Sequence, residues 1–319
     1  MSETTDEGLA AAARTAIGQC MGLAAGESCL VVTDEKRRAI GEALYGAALD
    51  VTDDAAIIRY PPGEQHGAEP PGTVAVAMRE ADAVLCPTTK SLSHTRARTR
   101  ANEAGARVAT LPGITEDVFT TGLDADYEAI AAACERIEQQ VAGADTVRVT
   151  APAGTDITIE PGDREWLTDT GIVHDPGGMS NLPAGETFVS PATGDGRVVV
   201  DGTMMPHGLL EGRTVEFIVE DGRVVEMGDE EIAAQLATAA EEVGDDAYNF
   251  AELGIGANTA VTELAGSVLL DEKAAGTVHL AIGDDAGIGG DTEAPVHLDG
   301  IVTEPTVYAD GEEITLPER

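Results

Sequence analysis

CLVVTDEKRRAIGEALYGAALDVTDDAAIIRY, residues 29–60, decides the fold of the first half of this chain. A run of aliphatic and β-branched residues (29–34) gives way to apolar positions at helical spacing (35–50), and a second β-like run follows (55–60). Strand, helix and strand in that order call for a parallel pair joined by a crossover helix. Working outward, a Pro/Gly-rich turn (61–72) leads to a short helix over 74–81 and a third strand, AVLCPT (83–88). SLSHTRARTRANEAGA (91–106) reads as a helix, RVATLP (107–112) as a fourth strand, and 126–141 as a closing helix. Residues 1–145 are therefore expected to form an α/β domain with a mostly parallel sheet.

The pattern changes after Asp145. TVRVTA, DITIEP, ETFVSP, GRVVVDG, TVEFIVEDG and GRVVEM alternate with period two between Gly, Asp and Pro turns. One helix (230–243) interrupts them, and YNFAELGIG, TVHLAIG, PVHLDGIV and PTVYADG follow. Residues 146–319 are expected to form a β-rich (α+β) domain, so 319 residues make two domains of ordinary size.

Charge restricts the partners. Lys and Arg number 19 against 58 Asp and Glu, a net charge of −39. Nucleic acid and anionic membrane surfaces are bound through Lys and Arg, so both are excluded as partners. Only three of the basic residues are lysines: Lys36, Lys90 and Lys273. A carboxylate-coated, lysine-poor surface suits a salt-rich cytosol, where the Debye length is roughly 3 Å at 1 M. The acidic start MSETTDEGLA carries no signal-like apolar run, and the expected location is cytoplasmic. Cys20, Cys29, Cys86 and Cys134 show no metal-type spacing; Cys29 and Cys86 sit in apolar runs and read as small buried thiols.

Motifs for phosphate binding or serine hydrolysis are absent, and GIGAN (254–258) and GDDAGIGGD (283–291) read as turns. His66, His174 and His207 fall in polar loops and read as solvated. His94 with Arg96, Arg98 and Arg100 forms a basic island, best explained by pairing with nearby acids. The two remaining histidines lie in apolar strands. Alternation puts His297 and Asp299 on one strand face, a compact pair of ligands for a divalent cation. His279 projects opposite Val278, Leu280 and Ile282, Glu252 interrupts an apolar segment, and Glu186 heads a strand. A lone histidine in a strand is usually a hydrogen-bonded core residue; two of them with a carboxylate in an apolar segment admit either that reading or a metal site, a cation being the economical counter-charge for buried carboxylates.

LPAGETFVSP, AELGIGANTAV, LLDEKAAGTVHLAIGDD and the VHLDG segment, together with SLSHTRARTRANEAGARVATLPGI, resemble the aminopeptidase T family of metallo-aminopeptidases. The resemblance implies two divalent cations (Zn, Co or Mn) held by Glu186, Glu252, His279, His297 and Asp299 in the second domain. It also implies a catalytic pair, with Glu252 bridging the cations and Glu272 acting as proton shuttle. A peptide substrate and a homodimer go with it. A family tyrosine expected after the first histidine has no counterpart between Leu280 and Gly290, and the chain is short between His279 and His297. The alternatives are a ring-opening dihydroxypyridine dioxygenase with a single iron held by two histidines and a carboxylate, or a non-catalytic metal-binding relative. The dioxygenases carry histidine in place of Glu252 and lack counterparts of Glu186 and His279, which favours the hydrolase reading at the level of sequence.

Overall fold

The computed structural model describes residues 3–318. Helix α1 (Glu3–Thr15) runs into a π-turn, and strand β1 (Cys29–Thr33) is followed by helix α2 (Arg38–Leu49) and strand β2 (Ala55–Arg59). Helix α3 (Gly72–Glu80), strand β3 (Ala83–Thr88), helix α4 (Arg96–Glu103), strand β4 (Arg107–Pro112) and helices α5 (Glu116–Gly122) and α6 (Tyr127–Val141) complete the alternation. β1 pairs in parallel with β2 and β3, and β3 with β4. Every residue of β1 and β3 is buried, as a sheet covered on both faces requires. Leu30, Val32, Val84, Cys86 and Val108 pack with Val74 and Met78 of α3 and Ala97 and Ala101 of α4. All four cysteines are buried and free, and burial pushes the Cys86 thiol up to about 12, so it stays a protonated apolar filler.

The helix expected over 91–106 is shorter. Thr95, in extended conformation, accepts a hydrogen bond from the Arg98 N–H and so caps α4, which leaves 91–94 outside the helix. Arg96 pairs with Glu69 at 3.3 Å, and Arg98 Nε donates to the Ser93 carbonyl, so these two members of the basic island have local partners. α1 and α5 have no counterpart in the sequence reading.

A single boundary at Asp145 does not describe this chain. One compact unit comprises Met1–Ala131 with Asp169–Ala184, the other Ala132–Thr168 with Gly185–Arg319. The chain leaves the parallel sheet to form β5 (Val147–Thr150), β6 (Asp156–Glu160) and β7 (Leu167–Asp169). It then returns as β8 (Met179–Asn181), which pairs in parallel with β4. A three-residue strand carries too little alternation to announce itself, and the edge of the parallel sheet recruits it.

The second unit holds the remaining strands. These are β9 (Glu186–Val189), β10 (Thr193–Val200), β11 (Thr203–Met204), β12 (Gly208–Leu209), β13 (Val215–Glu220) and β14 (Arg223–Met227). After helix α7 (Glu230–Val243) come β15 (Phe250–Gly256), helix α8 (Val268–Asp271), β16 (Val278–Gly283), β17 (His297–Val302), β18 (Thr306–Ala309) and β19 (Glu312–Glu313). Together with β5, β6 and β7 they form two seven-stranded sheets, ordered β14-β13-β10-β6-β5-β18-β19 and β12-β11-β17-β16-β15-β9-β7. The fold class matches expectation: an α/β unit with a parallel sheet and a β-rich antiparallel unit. In the second sheet Val189, Leu253 and Leu280 share a row on one face, and the Phe250 ring on that face meets Gly194 of the first sheet. The opposite face carries the polar side chains described next.

Candidate metal centre

Four neighbouring strands present one polar face. Glu186 of β9 pairs with Gly256, Gly254 with His279, Glu252 with Ala281, Ala281 with Asp299, and Gly283 with His297. The charged side chains thus alternate across the strands with Gly or Ala, which leaves room between them. Gly254 and Gly256 are required by close approach. A Cβ on Gly254 would overlap the His279 ring at Cε1 and Nε2, and one on Gly256 would overlap the Ala274 carbonyl. GIG is therefore the close-packed C-terminal end of β15, where a turn was expected from the sequence.

A register shift between Phe250 and Glu252 separates the faces of these two residues. Phe250 pairs with Ile282 and Glu252 with Ala281, so two residues of β15 span one step of β16. Simple alternation would put Glu252 on the same face as Phe250. The bulge turns Phe250 over, onto the apolar face, while Glu252 keeps in step with Gly254 on the face of His279 and Asp299.

The five residues form two triads that share Glu252. Glu186, Glu252 and His279 bring ligand atoms within 4.8 Å of one another, as do Glu252, His297 and Asp299. Glu252 Oε1 lies 3.1 Å from His279 Nε2 and Oε2 lies 3.3 Å from His297 Nε2, so each carboxylate oxygen faces a different imidazole. Glu186 Oε2 is 3.6 Å from His279 Nε2, and Asp299 Oδ1 is 3.2 Å from His297 Nε2. The first triad is buried; His297 is about one-third exposed and marks the mouth of the site. Its Nδ1 donates to the Asp284 carbonyl at 2.7 Å, which aims Nε2 at the carboxylates.

Burial works to raise the Glu252 carboxyl, but hydrogen bonds from His279 and His297 overcome it and hold the group well below the usual carboxylate range. Burial likewise opposes charge on His279, yet Glu252 and Glu186 raise it to about 9, and Asp299 and Glu252 raise His297 well above its ordinary value. Asp299 is lowered by His297 against the effect of burial. Burial pushes Glu186 up to about 8 and also raises Glu272, with neighbouring carboxylates adding to both shifts.

These residues fit a cation. Glu186 Oε2 is buried without a hydrogen-bond partner, and it sits beside an imidazole nitrogen and a Glu252 oxygen. Ligands about 2.0–2.2 Å from an ion lie roughly 3–4 Å from each other, the spacing seen here. Oxygen and nitrogen donors without thiolate suit first-row divalent metals.

Lys273 escaped the sequence reading. Its ammonium is buried, 3% exposed, and donates at 2.5 Å to both Glu186 Oε1 and Glu272 Oε1. The available signal was composition: it is one of three lysines in the chain. His207 also differs from expectation. Its side chain is 11% exposed and its Nε2 lies 2.9 Å from Asp229 Oδ2, because Asp229 caps α7 beside it.

Carboxylates and imidazoles converging on one sheet face make up a group that could hold a metal ion. The chain belongs to the family described as NicX, 2,5-dihydroxypyridine 5,6-dioxygenase, whose model matches residues 9–317. A solved 2,5-dihydroxypyridine dioxygenase from Pseudomonas putida KT2440 has the same fold at TM-score 0.78 and 18% identity, covering 97% of this chain and 95% of that one. AmpT from Thermus thermophilus matches at TM-score 0.65 and 18% identity, with 98% of each chain covered. No curated protein matches the sequence. The resemblance to the aminopeptidase T family thus holds for the fold, while the family model is that of the dioxygenase. Among the described residues no helix is long and apolar enough to cross a membrane.

Proposed function

We propose that this chain is a metal-dependent ring-opening dioxygenase acting on a hydroxylated aromatic or N-heteroaromatic ring. The observation that carries this reading is the dioxygenase family match along residues 9–317, and the higher structural similarity to the dihydroxypyridine dioxygenase supports it. Glu252, His297 and Asp299, at the accessible mouth, would hold a single ferrous ion, which supplies the dioxygen chemistry that side chains lack. The triad departs from the two-histidine, one-carboxylate pattern of such iron sites. His297 is oriented by the Asp284 carbonyl. Glu272, raised by burial and close enough to Asp299 for the two carboxylates to repel, is suited to take a proton from a ring hydroxyl.

A second reading is favoured by one observation: the two Glu252 oxygens face different histidines, the arrangement of a carboxylate bridging two cations. In it, all five residues would hold two divalent ions, which would supply an activated water, Glu272 would shuttle a proton, and the reaction would be removal of the N-terminal residue from a peptide.

One experiment separates the readings. The full chain, in molar KCl, is loaded with Fe(II) without oxygen, or with Co, Mn or Zn, and metal per chain is measured by elemental analysis. Oxygen uptake coupled to loss of 2,5-dihydroxypyridine, at one iron per chain, supports the dioxygenase. Two ions per chain with amino-acid release from a leucyl dipeptide, and no oxygen uptake, overturns it in favour of the hydrolase. Cation binding with neither activity leaves a metal-binding relative that is not a catalyst.

A further inference from the structure

We infer that Lys273 is a positioning residue of the metal centre, holding Glu186 by one oxygen so that only the other is free to meet a cation. The inference rests on the reading of Glu186, Glu252 and His279 as ligands of a cation, the inner site of the two-ion arrangement. Lys273 Nζ contacts Glu186 Oε1 at 2.5 Å, and it is Glu186 Oε2 that is buried without a hydrogen-bond partner and lies toward His279 Nε2. The second carboxylate on the ammonium, Glu272 Oε1, also at 2.5 Å, keeps the amine from swinging away from Glu186.

The backbone around the lysine is fixed on three sides. Asp271, two residues earlier and fully buried, accepts from Thr203 Oγ1 at 2.6 Å and from the Ala265 and Gly266 N–H groups at 2.8 Å. The Lys273 carbonyl accepts from the Asn258 N–H. Gly256, the register partner of Glu186, lets the 273–274 backbone lie against β15, since any Cβ there would strike it. The lysine therefore enters from a braced turn directly beside the strand pair that carries Glu186. A buried ammonium between two carboxylates in a chain with almost no lysine is not a solvated surface charge.

The test is cation binding by the full-length protein in molar KCl, read by calorimetry with Co²⁺ and by the visible spectrum of the bound cobalt. Lys273→Met should remain folded by circular dichroism, bind at least about tenfold more weakly and shift the cobalt spectrum, because Glu186 is released to rotate. Lys273→Arg keeps the charge but replaces a point donor with a planar fork, and should shift the spectrum while recovering part of the affinity. Wild-type affinity and spectrum in folded Lys273→Met overturn the inference; should that variant fail to fold, an unchanged spectrum and affinity in Lys273→Arg overturn it. If the wild type itself binds no cobalt, it is the cation reading of the cluster that fails, a result distinct from either variant outcome.

Discussion

Replacing Gly254 with alanine tests the geometry on which the centre depends. The Cβ would fall on Cε1 and Nε2 of His279, where ordinary carbon contacts need about 3.5–4.0 Å. Retreat is restricted, because the ring is buried and its Nε2 is engaged by Glu252 and Glu186. Overpacking of this kind costs about 1–3 kcal/mol. For a unit of this size 1 kcal/mol moves the melting temperature by about 2–4 °C, so a loss of roughly 2–12 °C is expected in a thermal scan in molar KCl. Cobalt affinity should fall in the same variant, because the imidazole is pushed from Glu252. Gly46→Ala is the matched control. Gly46 lies on the exposed face of α2 with nothing within 4 Å of its Cβ position, so alanine there should stabilise by about 0.4–1 kcal/mol and leave cobalt binding alone. A Gly254→Ala protein that melts within about 1 °C of wild type and binds cobalt normally would refute the placement of the His279 ring over this glycine.

Glu252→Ala removes the carboxylate common to both triads and should abolish cation uptake and turnover together; retained activity would overturn its central role. Cation binding to the wild type should release protons, since His279 and His297 hold them at neutral pH, and calorimetry in buffers of different ionisation enthalpy measures the number released; zero would contradict the protonated centre. Arg107 holds the Glu27 carboxyl below its ordinary value of 4.5 from 2.8 Å. The stability this gives is present above that value and lost as pH falls through the lower folded one, so Arg107→Gln should lose more stability at pH 7 than at pH 3, and equal losses would refute the linkage. With a net charge of −39, the melting temperature should rise between 0.1 M and 2 M KCl as screening relieves self-repulsion; a flat profile would contradict the salt adaptation.

Much of the fold could be read without coordinates. β3 and β4 occupy the segments expected from AVLCPT and RVATLP, and α7 spans 230–243 as its periodicity indicates. These elements are long and their burial pattern matches their period. The short strands β7, β8, β11 and β12 were not legible, because two or three residues hold no alternation to read. The return of 169–184 to the first unit was hidden for the same reason, as β8 exists only because β4 offers it an edge.

The candidate site divides in the same way. Sequence alone determined which residue types are out of place: a histidine and an aspartate two apart in an apolar strand, a second histidine in another, and glutamates where an acidic surface does not need them. Those are properties of composition and of the two-residue repeat, which are local. Only the tertiary structure decided that Glu252 faces His279 and Asp299, because the register of β15 against β16 and of β16 against β17 sets which residues of separate strands lie side by side. Only it placed Lys273 against Glu186, from a turn 87 residues further along the chain. Register and the docking of a turn are set by packing between distant segments, and no local pattern encodes them.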